Sequence, residues 1–84
     1  MNNREIVKKF AAGAKKGHSN SMAIVQLPNS TTALIGYGWA IYAKRRGKQI
    51  IVYDGWRGYS TTTSHHMGLI RPYATKISKA SPRL

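Results

Sequence analysis

Cysteine is absent from this 84-residue sequence, and acid is nearly so, with Glu5 and Asp54 the only carboxylate side chains. The missing thiols exclude disulfide bridges, thiolate zinc sites and cysteine nucleophiles, and nothing argues for an oxidising compartment. The scarcity of acid excludes most carboxylate chemistry: a two-metal nuclease, a glycosidase working through paired carboxylates and a calcium site all need acidic ligands or catalysts that the chain does not supply. Long apolar runs are missing as well. Runs such as those at 22–25 and 50–53 fall far short of the roughly 18 residues of a membrane span, so neither a transmembrane helix nor a signal peptide is expected and the cytoplasm is the expected compartment.

Base is what the chain has in excess. Fourteen Lys and Arg against two acids give a formal net charge of +12 and a pI near 10.7. Hydrophobic residues at 42% make the chain too apolar for simple disorder, and its length suits one domain with a small core. Such a core gives modest stability, which self-repulsion among the cations lowers further. An exposed sheet face beside a small core also makes a homodimer a natural arrangement.

The first segment, 3–16, has helical spacing: Ile6, Val7, Phe10, Ala11 and Ala14 share one face, and Arg4, Lys8, Lys9, Lys15 and Lys16 lie opposite. Asn2 with Glu5 three residues on reads as a capping box, and Gly17 as a C-terminal stop. A strand is expected at 21–27, then a turn at Pro28-Asn29-Ser30. Alternation of Ala33, Ile35, Tyr37, Trp39, Ile41 and Ala43 predicts one long second strand over 32–43, with Gly36 and Gly38 marking a bulge or a close backbone approach. A basic hairpin tip at 44–48 leads into a third strand at 49–53, the Asp54-Gly55 turn and a short fourth strand at 56–60. A second helix is expected from near 62–64 to Arg71, ahead of Pro72. The expected fold is a small α+β domain over 1–72, an antiparallel meander of three to four strands flanked by the N-terminal and a short C-terminal helix, followed by a flexible basic tail at 73–84.

Charge clusters in four places: on the first helix (Lys8, Lys9, Lys15, Lys16), at the hairpin tip (Lys44, Arg45, Arg46, Lys48), at Arg57 with Arg71, and in the tail. Lysine and arginine neutralise phosphates and release counterions, which points to nucleic acid as partner. Thr62, Thr63 and Ser64 bring hydroxyls to the start of the second helix, where free N–H groups and the dipole favour a phosphate; helix capping by Thr63 or Ser64 explains the same residues. Rings on a sheet also stack unpaired bases. Tyr37 and Trp39 are expected in the core, whereas Tyr42, out of phase with the apolar face, and Trp56 and Tyr59, beside turns, are the expected exposed rings. The adjacent His65 and His66 point about 100° apart on a helix and make poor joint ligands, so no metal or other cofactor is expected. A histidine acid/base with Arg57 or Arg71 on the phosphate would suffice for a metal-independent ribonuclease of the toxin kind.

Leu34-Ile35-Gly36-Tyr37-Gly38-Trp39-Ala40-Ile41, then the basic hairpin, then Tyr59-Ser60-x-Thr62-Thr63-Ser64-x-His66 resembles a family of small uncharacterised proteins encoded by phages and other viruses of prokaryotes. The family pattern is a Leu, Ser-Tyr-x-Thr, Ile-Ala strand followed by Tyr-Ser-x-Thr-Thr-Ser-x-His. The second motif matches at every position given, while Gly36, Trp39 and Tyr42 stand where Ser, Thr and Ala are usual. The resemblance implies a viral or mobile-element origin, with the host cytoplasm as the compartment if viral, and supplies no catalytic residues. Residues and resemblance together predict a non-catalytic, phage-type accessory protein that binds DNA or RNA electrostatically. The alternatives are a viral inhibitor of a host defence complex, of the anti-CRISPR sort and acting on a protein or ribonucleoprotein, and the ribonuclease.

Overall fold

A computed structural model describes all residues from Met1 to Leu84. Its first element, α1 (Asn3–Ala11), is set by the expected capping box: Asn2 Oδ1 accepts from the Glu5 N–H at 2.8 Å, and Glu5 Oε1 accepts from the Asn2 N–H at 3.2 Å. Ile6, Val7 and Phe10 form its buried face. The helix stops before Lys15 and Lys16 because Gly13 takes φ 108°, a conformation that ends the helical path.

Six strands follow in one sheet, ordered as in the chain: β1 (Gly17–His18), β2 (Met22–Leu27), β3 (Thr31–Gly36), β4 (Ala40–Arg46), β5 (Gln49–Tyr53) and β6 (Lys76–Ser78). The α+β class holds, but the three- to four-stranded antiparallel meander does not. β1 adds an edge strand, and β6 pairs parallel with β5, an arrangement that needs the crossover supplied by α2 (Thr61–Ile70). The expected long strand over 32–43 is a hairpin. Tyr37 (φ 54°) and Gly38 (φ 81°) both take positive φ and the Trp39 N–H donates to the Gly36 carbonyl, as a type I′ turn requires.

The fourth strand expected at 56–60 is also absent. The chain instead forms a 3₁₀ turn at Asp54–Trp56, and Gly58 reverses it at φ 89°. α2 starts one residue before the expected window and is capped by Ser60, not by Thr63 or Ser64: the Ser60 Oγ accepts from the Thr63 N–H at 3.0 Å. Residues 73–84, expected to be a flexible tail, are instead joined to the sheet by backbone pairing, although none of them is buried. After β6 the chain runs beside the start of β4, where Ile41 N–H donates to the Pro82 carbonyl, Ala40 bridges Arg83, and the Leu84 N–H donates to the Trp39 carbonyl.

Both helices lie on one face of the sheet. The main core there joins Ile6, Val7 and Phe10 of α1 to Met22, Ile24, Leu34, Tyr42 and Val52 of the sheet and to Met67 and Ile70 of α2. A bulge makes this possible. The β3–β4 register shifts between Leu34 and Ile35, so Tyr42 is an extra residue turned toward the helices. The other face carries no helix. Ala33, Ile35 and Ile41 form a small cluster there, flanked by half-buried Ala23, Val25, Leu27 and Tyr53.

Candidate nucleic-acid interface

Arg45 organises the basic end of the molecule. Expected as a free cation at the hairpin tip, it turns toward the helices: its Nε donates to the Phe10 carbonyl at 3.0 Å and an Nη to the Ala14 carbonyl at 3.2 Å. A guanidinium at the end of a helix meets the negative end of the dipole, and here it adds a second donor to the Phe10 carbonyl, which also accepts from the Gly13 N–H. Arg45 also lies 5.8 Å from the Phe10 ring centre, so its role is structural, and it fastens the β4–β5 tip to the end of α1. Exposed Lys8, Lys9, Lys15 and Lys16 on one side, and exposed Arg46 and Lys48 on the other, therefore flank a single junction. Gly47, at φ 61°, turns the tip between Arg46 and Lys48.

Only one acid lies near that junction. Glu5, held in the capping box at the start of α1, borders a shallow depression with Lys8 and Lys9, while Asp54 lies elsewhere and accepts from Arg71 at 3.4 Å. Arg71 is thus an ion-pair partner rather than the free cation expected, whereas Arg57 is exposed. Lys44 belongs to neither group. It lies on the helix-free face with its ammonium 5.7 Å from the centre of the Tyr53 ring.

The expected phosphate cradle at the start of α2 is largely used internally. Thr63 is buried, its hydroxyl oxygen accepts from Ser60 Oγ at 3.0 Å, and Ser64 Oγ accepts from the Gly58 N–H at 2.8 Å. Only Thr62 stays exposed. Most of the Tyr-Ser-x-Thr-Thr-Ser-x-His run therefore builds a helix start.

Its histidine completes a polar chain, buried at His66 and Tyr42 and half-buried at Asn3 and Ser19, that spans three elements. The Ser19 hydroxyl donates to Asn3 Oδ1 at 2.6 Å, which leaves the Asn3 amide to donate to His66 Nε2 at 3.2 Å. An accepting Nε2 puts the proton of a neutral ring on Nδ1, which donates to the Tyr42 hydroxyl at 3.0 Å. Burial, and secondarily the neighbouring His65, hold the His66 pKa below its ordinary 6.5. Burial likewise pushes the Tyr42 phenol up. Tyr42 reaches this position only because residue 36 is glycine: a Cβ there would overlap the Tyr42 ring.

The stacking candidates are reassigned accordingly. Tyr42 is 0% and Trp56 2% exposed, so neither offers a face to a base. Tyr42 was out of phase with the strand pattern because it sits in the bulge. Trp56 follows a turn that folds inward, and its indole N–H donates to the Pro82 carbonyl at 3.2 Å. Tyr59 is 59% exposed, as expected, but Tyr37, expected in the core, is 48% exposed at the hairpin turn. Its ring lies 5.7 Å from that of His66, and its N–H donates to the Ser21 carbonyl at 2.8 Å. These contacts hold a tyrosine at a positive φ usually left to Gly or Asn. Trp39, also expected in the core, is half-buried beside Tyr59 and beneath the guanidinium of Arg83. No feature of local sequence pattern marks Arg83 or Asn3 for these roles.

The fold is thus a small α+β domain with one free cationic end and a polar chain closed upon itself. Compared with protein-family models, curated proteins and solved structures, the chain matches none.

Proposed function

We propose that this protein is a small basic accessory protein that binds nucleic acid electrostatically and without catalysis. The observation that carries the reading is the junction made by Arg45, which groups Lys8, Lys9, Lys15, Lys16, Arg46 and Lys48 around one end with Glu5 as the single nearby carboxylate. A cluster with so large an excess of cations displaces counterions from a phosphate backbone and reads little sequence. The chemistry at His66 supports the non-catalytic part, since both ring nitrogens are occupied within the fold and the ring is 1% exposed. The depression bordered by His18, Ser19, Ser21 and Tyr37 has a volume of about 200 Å³, smaller than an ordinary ligand pocket, and His66 does not line it. The resemblance to small phage proteins agrees with an accessory role.

A second reading draws on the helix-free sheet face. Val25, Leu27 and Tyr53 there, with Lys44 beside them, suit contact with a protein or ribonucleoprotein, as inhibition of a host defence complex would require. Direct titration separates the two. Fluorescein-labelled DNA and RNA, single- and double-stranded, should all shift in anisotropy with purified protein at low salt, and RNA incubated with it in EDTA should stay intact. Absence of any shift at low salt contradicts nucleic-acid binding, and RNA cleavage that a double His65→Ala/His66→Ala variant abolishes contradicts the non-catalytic reading.

A further inference from the structure

Away from the basic junction, three rings meet edge to face. Trp39 and Trp56 centroids are 5.1 Å apart at 76°, Trp39 and Tyr59 5.9 Å at 71°, and Trp56 and Tyr59 5.4 Å at 77°. Trp56 is the buried floor, Trp39 is half-buried and Tyr59 is exposed. The Arg83 guanidinium carbon lies 4.9 Å from the Trp39 ring centre and 5.6 Å from that of Trp56. Backbone hydrogen bonds hold Arg83 there: Pro82 accepts from Ile41 and Leu84 donates to Trp39, one on each side of it. Arg57, two residues before Tyr59, is exposed as well.

The chemistry of this patch selects its occupant. Arg83 already fills the cation position over Trp39, so a second cation would be repelled. A planar group attached to an anion is complementary, because the exposed Tyr59 ring offers a stacking surface and Arg83 and Arg57 offer charge. We infer that Tyr59, with Trp39 and Arg83, forms a stacking site for an unpaired nucleobase, so that the protein prefers single-stranded to double-stranded nucleic acid. The inference rests on the nucleic-acid reading and deepens it. In a duplex the faces of the bases are stacked on one another and do not reach Tyr59, whereas every base of a single strand has a free π face.

The test compares a single strand of roughly 15 nucleotides, within the usual site size of small single-strand binders, with a duplex of the same length. Anisotropy gives affinity and intrinsic tryptophan fluorescence reports stacking near Trp39. The single strand should bind more tightly and quench the fluorescence, and the duplex should do neither. Tyr59→Ala should weaken single-strand binding roughly five- to a hundredfold, the range that one lost stack implies, and leave duplex binding unchanged. Tyr59→Phe keeps the ring and should bind like the wild type, with matching thermal melts showing that neither variant is misfolded. Equal wild-type affinity for both strands, with Tyr59→Ala silent on each, overturns the inference and leaves the electrostatic reading standing. Equal weakening of both strands by Tyr59→Ala overturns it too. No binding of either strand at low salt overturns both.

Discussion

The two ends of the molecule spend their polar groups differently. Around α2, Ser60, Thr63, Ser64, His66 and Tyr42 hydrogen-bond to one another or to nearby backbone and Asn3. Around the junction of α1 and the β4–β5 tip, Arg45 alone bonds inward, and Lys8, Lys9, Lys15, Lys16, Arg46 and Lys48 are exposed. The residues that look most like a chemical motif therefore build the fold, while undistinguished lysines are the ones on which the proposed interaction depends. Substitutions at the first end should cost stability and spare binding, and those at the second should do the reverse.

The largest effect is expected from Tyr42→Ala. Deleting a fully buried aromatic ring costs about 3–5 kcal/mol and here also strands the Nδ1–H of His66, so urea denaturation should show a large loss of stability, with any residual folded protein still binding nucleic acid. Reduced binding at unchanged stability would break the contrast between the two ends. The opposite signature is expected when Lys15, Lys16, Arg46 and Lys48 are all changed to Gln. The slope of log affinity against log salt should become shallower by up to about 3.6, or about 0.9 per lost phosphate contact. The urea midpoint should stay the same or rise as self-repulsion falls.

A smaller effect is expected from pH. Because the pKa of His66 is lowered in the fold, the unfolded chain takes up a proton that the native protein refuses once pH falls below the ordinary value of 6.5. Unfolding is then favoured: the stability from neutral His66 is complete above 6.5 and is lost progressively as pH drops toward the native pKa. His66→Gln should flatten this acid limb between about pH 7 and 5, and an unaltered limb would assign it to other groups. The smallest effect is expected from Arg71→Gln. Its pairing with Asp54 is part-exposed, at 44% for the arginine side chain, so stability should change by under about 1 kcal/mol. A larger loss would mean that Asp54, whose Oδ1 is buried without a partner, depends on that arginine.

Local signals were legible in the sequence and long-range ones were not. The capping box of Asn2 and Glu5, the start of β2, the basic tip and the helix around His66 all follow from spacing within a few residues. The Tyr37-Gly38 turn was hidden because apolar alternation continues in phase from Ile35 through Tyr37 and Trp39 to Ile41, and only positive φ at adjacent residues reveals the reversal. Gly36 was marked as a place of close approach, but Tyr42 as the group approaching it depends on the bulge. β6 was missed because three residues pairing in parallel with a strand more than twenty positions away leave no periodic trace. Still longer separations divide Trp39 from Arg83 and Asn3 from His66, the contacts that turned expected core and surface residues into different ones.

The most direct test of nucleic-acid binding at the basic end is the salt dependence of duplex affinity, where stacking makes no contribution. With up to six exposed cations at that end, log affinity should fall linearly with log salt, with a slope of about −3 to −5 that the four-Gln variant makes shallower by up to about 3.6. A flat response in the wild-type protein, or a steep slope that those four substitutions leave unchanged, would contradict it.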